Sequence, residues 1–432
     1  MTPALPASEG FSYQLNKGGH RLHCEDVALD ELAGRFGTPL YVYSRRAIET
    51  AYSAYASALK GRRALVCYAV KANSNLAVLD VLARLGAGFD IVSGGELARV
   101  LAAGGDASKV VFSGVGKSED EIESALKADI ACFNVESAAE LDRIDAAAQR
   151  LQVRARVSLR VNPDIDAGTH PYISTGLKEN KFGVAYADTL ALCRTASAKC
   201  AIELVGLGCH IGSQITEIAP YVDAAERIID LVDALERESV QLRHIDLGGG
   251  LGIRYRDESP PHAGDLIGAL LARLDARGHR DKWVLVEPGR SIVGNAGVLL
   301  TRVEYLKPGE TKNFAIVDAA MNDLIRPAMY DAWMNVVPVA PRQSGTQQYD
   351  IVGPICESAD WLARDRALAL QAGDLLAIAS AGAYAMAMSS NYNTRARPAE
   401  VMVDRAHAYL VRQRETIDGL FASESRLPQR LP

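Results

Sequence analysis

Between residues 65 and 290 the chain alternates short, nearly continuous apolar runs with longer stretches whose apolar residues recur at three- and four-residue steps. The runs occupy residues 65–70, 88–93, 110–113, 131–136, 157–162, 204–210, 242–248 and 283–290. A run without alternation is the mark of a strand buried on both faces, as in a parallel sheet. The intervening stretches read as amphipathic helices: Val78, Leu79, Val81, Leu82 and Leu85 share one helical face, and so do Ile228, Ile229, Leu231, Val232 and Leu235. Eight such strands alternating with helices predict an α/β fold, a (β/α)8 TIM barrel; a doubly wound sheet is the other topology this alternation allows.

From about Asn295 the rhythm changes. Apolar runs at 298–300, 314–317, 350–352, 375–378 and 401–403 follow one another without long helices, separated by turn signals such as Lys307-Pro308-Gly309 and Gly373-Asp374. They predict a second, mostly antiparallel β domain, a β-barrel or sandwich. Residues 1–35 fit neither pattern and are assigned to that β domain. The expected organisation is therefore 1–35 with the β domain, 36–292 as the barrel and 293–432 as the β domain proper.

Composition narrows the function. Of 432 residues 48% are hydrophobic, enough for full-sized cores. A net charge of −6 without a basic run argues against nucleic acid as partner. No apolar stretch approaches the ~20 residues a membrane-spanning helix needs, and the N-terminus lacks a charged-then-apolar leader. Seven cysteines with no close pair suggest neither disulfides nor a metal site, so the chain reads as a cytoplasmic protein with mostly buried thiols.

In a barrel of this type chemistry collects at the carboxyl ends of the strands. Lys71, Asp90, Arg160, His210, Gly248, Gly249, Gly250, Glu287 and Arg290 all fall there. A lysine closing an apolar run is poorly placed for structure. It suits an amine that must form a Schiff base, although a solvated strand-end lysine is the plainer reading. The glycine run lets backbone N–H groups approach an anion such as a phosphate, or simply makes a tight turn. His210 is either a neutral core histidine or a flat surface for a cofactor ring, with Ser213 near enough in sequence to donate to a phosphate. Glu287 is costly at a barrel mouth unless paired, with the protonated ring nitrogen of pyridoxal phosphate or with an arginine such as Arg290. Amine, stacking ring, phosphate cradle and ring-nitrogen partner are four requirements of one cofactor, pyridoxal 5'-phosphate.

The segments Val70-Lys71-Ala72-Asn73, His210-Ile211-Gly212-Ser213, Gly248-Gly249-Gly250, Glu287-Pro288-Gly289-Arg290 and Cys356-Glu357-Ser358-Ala359-Asp360 resemble the fold-type III pyridoxal-phosphate decarboxylases. Residues 170–176, Arg326-Pro327-Ala328-Met329-Tyr330 and the glutamate after Cys356 resemble the diaminopimelate decarboxylase branch. The resemblance implies decarboxylation of meso-2,6-diaminopimelate to L-lysine, the last step of lysine biosynthesis. It implies Lys71 as the cofactor-bearing lysine, His210 under the ring and Glu287 on its nitrogen. Ser213, Gly248, Gly249, Gly250, Gly289 and Arg290 are implied at the phosphate, with Tyr384 near the cofactor and Asp90 and Arg160 in support. Arg290, Arg326, Tyr330, Glu357 and Tyr384 would contact the substrate, and Cys356 would be the proton donor. Cys356 and Glu357 would reach the site from the other subunit of a homodimer. Decarboxylases of ornithine, arginine or carboxynorspermidine are the rival activities, an amino-acid racemase or a non-catalytic relative the more distant ones.

Overall fold

The computed structural model describes residues 10–16, 19–166, 168, 175–176 and 180–428. Residues 170–174 of the branch-specific motif lie outside the described residues. The chain divides into two compact units, Ala47–Asn295 and Met1–Arg46 together with Ala296–Pro432.

The first unit is a closed barrel. Its strands are β1 (Ala64–Ala69), β2 (Gly88–Ile91), β3 (Val110–Phe112), β4 (Cys132–Val135), β5 (Ala155–Asn162), β6 (Ile202–Gly208), β7 (His244–Asp246) and β8 (Trp283–Val286). Each pairs in parallel with the next, and β8 pairs with β1 to close the ring. All eight coincide with the apolar runs predicted from sequence. Four of the barrel's helices begin at a capping side chain: Asn75, Ser93, Ser118 and Ser137 each accept a backbone N–H from the first turn that follows.

Successive side chains of a strand point to opposite faces, so residues two apart share a face. Cys67, Val111, Cys132, Val205 and Leu285 form one apolar cluster. Two residues further on come Ser113, Asn134 and Glu287, and Asp246 follows buried His244 in the same step. The apolar layer therefore floors a polar one at the carboxyl ends of the strands.

Between β3 and β4 the barrel wall contains an ion pair. Lys117 Nζ lies 2.6 Å from Glu140 Oε1, with the two side chains 1% and 7% exposed, and also donates to the carbonyls of Gly114 and Asn134. Burial raises the proton affinity of Glu140 and Lys117 opposes it.

The second unit contains a nine-stranded sheet. Its order is Trp361–Leu368, Gln347–Val352, Asn313–Val317, Gly297–Lys307, Leu40–Ser44, Ala399–Asp404, His407–Arg412, with Leu375–Ile378 on Gly297–Lys307 and Val336–Pro338 beyond it. Pairing is antiparallel except between Asn313–Val317 and Gln347–Val352 and between Leu40–Ser44 and Ala399–Asp404. Phe11–Asn16, Gly19–Cys24 and Val27–Ala28 make a small sheet of their own, tied on by Leu22 N–H donating to the Val339 carbonyl at 2.8 Å. Residues 36–46, placed with the barrel from sequence, cluster instead with this unit. All five residues of Leu40–Ser44 are buried, and a continuous apolar run looks alike in a barrel and in the middle of a large sheet.

Replacing Lys117 with Met leaves the Glu140 carboxylate buried without its cation. We expect urea unfolding of the barrel to show a loss of about 3–5 kcal/mol, the usual result of removing one partner of a buried pair. A loss below about 1 kcal/mol would mean that the pair behaves like a surface one.

Candidate active site

Lys71, Asp90, Arg160, His210 and Glu287 are brought close together: all but Asp90 line one open cavity of about 660 Å³, with Ser113, Asn134, Thr175, Phe182 and Asp246. Asp90, next to last in β2, is fully buried, and its Oδ2 accepts from Lys71 Nζ at 2.5 Å. Among the described residues Asp90 Oδ1 is buried with no hydrogen-bond partner. Lys71 follows β1 in a short 3-10 turn, Val70–Ala72, with its side chain 36% exposed to the cavity.

The segments that follow β6, β7, β8 and β1 are stitched together by backbone. Glu287 N–H donates to the Gly248 carbonyl at 2.7 Å, and Ala69 N–H to the Pro288 carbonyl at 3.0 Å. A side chain on Gly249 would place its Cβ 1.9 Å from the Glu287 carbonyl oxygen, and one on Gly250 would lie 2.2 Å from that of Gly212. Gly248 and Gly250 also adopt φ of +67° and +104°, where other residues are strained. Beside this turn Arg290 donates to Ser213 Oγ at 2.9 Å and to the Tyr255 hydroxyl at 2.7 Å. Gly289 packs against Ala69 and Ala72, on either side of Lys71.

Gly249 N–H donates to His210 Nδ1 at 3.2 Å, which leaves the ring proton on Nε2. Burial, then Arg160 and Lys71, hold the His210 pKa well below the usual value, so the ring is neutral. Burial raises Glu287 well above the carboxylate range, with Asp246 and Asp90 adding to it and Lys71 opposing. Asp246 is raised too, chiefly by burial.

The remaining sequence candidates belong to the other unit. Arg326 and Tyr330 begin and end the one-turn helix Arg326–Tyr330, with Arg326 buried. Cys356 and Glu357 are exposed on a turn. The Cys356 N–H donates to Asn393 Oδ1 at 3.1 Å, and the Tyr392 hydroxyl to Glu357 Oε1 at 2.5 Å. Asp360 fastens that turn by accepting N–H groups from Met321 and Ile355, both at 2.7 Å. Tyr384 holds a left-handed φ of 52°.

A family model described as "Pyridoxal-dependent decarboxylase, pyridoxal binding domain" matches residues 45–294. The diaminopimelate decarboxylase of Pseudomonas aeruginosa is 62% identical over 97% of this chain and 99% of its own length, and that of Vibrio cholerae 56% over 97% and 99%. Among solved structures, the Helicobacter pylori diaminopimelate decarboxylase complexed with L-lysine superposes with a TM-score of 0.88 at 42% identity, covering 92% of this chain and 99% of that one. The M. jannaschii enzyme in co-complex with L-lysine gives 0.91 at 38%, covering 97% and 99%. This chain belongs to the pyridoxal-dependent decarboxylases, in the diaminopimelate decarboxylase branch.

The cavity fits the cofactor of that family on its own chemistry. It presents one accessible amine and a neutral flat ring; the glycine turn, Ser213 and Arg290 are not among its lining residues, and the turn joins the cavity through the Gly249 N–H on His210. Its buried carboxylates, Asp246 and Glu287, favour a cationic ring.

Sequence reasoning missed Asn134, Asp246 and Glu136. The first two were legible by stepping two residues along β4 and β7 from the apolar layer. Asp246 Oδ1 accepts the Gly248 N–H at 2.9 Å, bracing the glycine turn. Glu136, just past β4, accepts from Arg160 Nη1 at 2.9 Å and from the N–H groups of Gly114 (3.1 Å) and Gly183 (2.7 Å), gathering strand β5 and the loops after β3 and β5 on one carboxylate.

The lowered His210 pKa has a testable sign. The unfolded chain takes up a proton near pH 6.5 that the folded chain refuses, so this group's contribution to stability falls as the pH drops below that value. NMR titration should find the His210 ring still neutral at pH 6.5. A half-protonated ring there would contradict the burial argument.

Proposed function

We infer that this protein is an enzyme that decarboxylates meso-2,6-diaminopimelate to L-lysine, the closing step of lysine biosynthesis, with pyridoxal 5'-phosphate as cofactor. The observation that carries the reading is a cavity in which the Lys71 amine and the Glu287 carboxylate belong to one pocket. Near full-length identity to diaminopimelate decarboxylases supports the choice of substrate. Bound cofactor supplies the electron sink for the pair left at Cα when carbon dioxide departs.

The protein's residues do the rest. Lys71 would hold the cofactor through its amine, which Asp90 orients. Glu287 would hold a proton at the ring nitrogen, and neutral His210 would add no charge to compete with it. Ser213, Gly248, Gly249, Gly250, Gly289 and Arg290 would hold the phosphate. Arg160, fixed by Glu136, would support the cofactor. At the far end of the substrate Arg326, with Arg290 and Tyr330, takes the distal carboxylate, Glu357 pairs the distal ammonium, and Tyr384 closes on the cofactor. Cys356 returns the proton to Cα.

We place Cys356 and Glu357 in the site of the opposite subunit of a homodimer, which suits two exposed residues held on a fastened turn. Seven free cysteines suit a reducing compartment, and we assign the enzyme to the cytoplasm.

Two experiments test this reading. Carbon dioxide release from meso-diaminopimelate, ornithine, arginine and lysine should favour diaminopimelate strongly. Arg326→Ala should cut its kcat/KM by about ten- to a hundredfold, the loss of one charge-assisted hydrogen bond, while leaving any weak ornithine turnover nearly unchanged. Faster turnover of ornithine by the unaltered enzyme would overturn the substrate assignment. Mixing inactive Lys71→Ala with inactive Cys356→Ala chains should restore up to about a quarter of full activity, because half of randomly reassorted dimers are mixed and each has one intact site. No recovery with subunit exchange demonstrated would place Cys356 within its own chain's site or outside catalysis.

A further inference from the structure

Asn134 is next to last in β4, in the polar layer two residues above Cys132, and is buried. Its side-chain Nδ2 has two hydrogens and two acceptors, Glu287 Oε1 at 3.1 Å and Ser113 Oγ at 3.0 Å. Its backbone carbonyl accepts from Lys117 Nζ at 2.9 Å, so the residue is braced from behind by the buried Lys117–Glu140 pair. Its amide therefore points at Glu287 from a strand of the barrel wall, from a held backbone.

The chemistry of the neighbourhood gives that contact a purpose. Glu287 shares the cavity and a side-chain hydrogen bond with Asp246, and burial, then Asp246 and Asp90, favour its protonated form. A carboxylate meant to stand ionised against a protonated ring needs a donor that favours the charge. A lysine or arginine there would supply a rival cation and draw the carboxylate away from the ring. A primary amide donates an N–H, carries no charge and does not titrate. The second hydrogen, on Ser113, fixes the amide plane and so the direction of the first.

We propose that Asn134 is a positioning residue for the decarboxylation: its N–H, donated to Glu287 Oε1, holds that carboxylate ionised and oriented so that the proton stays on the cofactor ring nitrogen. This rests on the reading that Glu287 faces the ring nitrogen. Asn134 itself need touch neither substrate nor the reacting atoms.

The test compares holoenzyme of Asn134→Leu, a close match in shape without the donor, with Glu287→Gln and with the double variant, each loaded with cofactor labelled with 15N in the ring. Losing an N–H to a charged acceptor should lower kcat by about ten- to a hundredfold with KM within about threefold. The acid limb of the kcat profile should move up by about one to two pH units, since the ionised form has lost support. The ring 15N resonance should move toward that of an unprotonated pyridine. The double variant should be no worse than Glu287→Gln alone, because both act through one carboxylate.

A folded Asn134→Leu enzyme with unaltered kcat and 15N resonance, beside an impaired Glu287→Gln, would overturn the role of Asn134 and leave that of Glu287 standing. So would a fall in kcat with an unmoved resonance and additive losses in the double variant, the pattern of simple structural damage. If Glu287→Gln itself turns over like the unaltered enzyme, the reading of Glu287 falls and this proposal with it. Should Asn134→Leu fail to fold, Asn134→Ala carries the same comparisons.

Discussion

Three acids packed at the mouth of one barrel, Asp90, Asp246 and Glu287, set the terms for everything around them. Each is nearly or wholly removed from water, where like charges repel strongly and a lone carboxylate is expensive. Such a group must take up protons, recruit cations, or both. Lys71 meets one of the three directly, through Asp90. For the others the surrounding choices are mostly neutral: the Asn134 amide on Glu287, the Gly248 N–H on Asp246, an uncharged imidazole at His210. The arginine that lines the cavity, Arg160, is paired with Glu136 rather than with these acids. A flat, cationic heterocycle would suit them, and they would favour a proton on its ring nitrogen.

The geometry needed for this does not depend on free-standing loops. Hydrogen bonds continue past the strand ends from Glu287 to Gly248 and from Ala69 to Pro288, so the segments bearing Lys71, the glycine turn and Glu287 are extensions of the barrel ladder. Glu136 does the same for the loops after β3 and β5, and its grip on Arg160 is charge-assisted and nearly dry. Glycine at 249 is a consequence of this tight lacing, since the Glu287–Pro288 backbone already fills the place of a side chain.

How much could be read beforehand follows from the physics of each feature. The eight barrel strands were visible because strands buried on both faces are apolar throughout, and Lys71, His210 and Glu287 stood out as polar residues ending such runs. Asn134 and Asp246 were hidden by the same rule. They lie inside runs that look uniformly buried, and only the period-two step from Cys132 and His244 gives their direction. Glu136 was passed over because its partners, Arg160, Gly114 and Gly183, are far apart in sequence and become neighbours only when the barrel closes. In the second unit Trp361–Leu368 and His407–Arg412 were missed because they carry charged residues on an exposed face, and their apolar signal is correspondingly thin. The strand Leu40–Ser44 has signal in plenty, but nothing local tells which sheet it will join.

That strand has a consequence for how the molecule is made. Leu40–Ser44 lies between Gly297–Lys307 on one side and Ala399–Asp404 on the other. During synthesis it leaves the ribosome before the whole barrel, yet neither neighbour exists until the barrel sequence has been completed. Closing so long a loop is entropically slow, although the cost grows only logarithmically with length. The barrel, with mostly sequential contacts, is free to fold first, while an aromatic, wholly buried strand waits unpaired. A nascent chain of this kind carries an exposed edge-seeking segment for most of its translation, the sort of surface that chaperones shield and that aggregation exploits. Lengthening the wait, by rare codons late in the message or by loss of the C-terminal strands, should therefore fall hardest on soluble yield, even though every residue lining the cavity at the barrel mouth is already made.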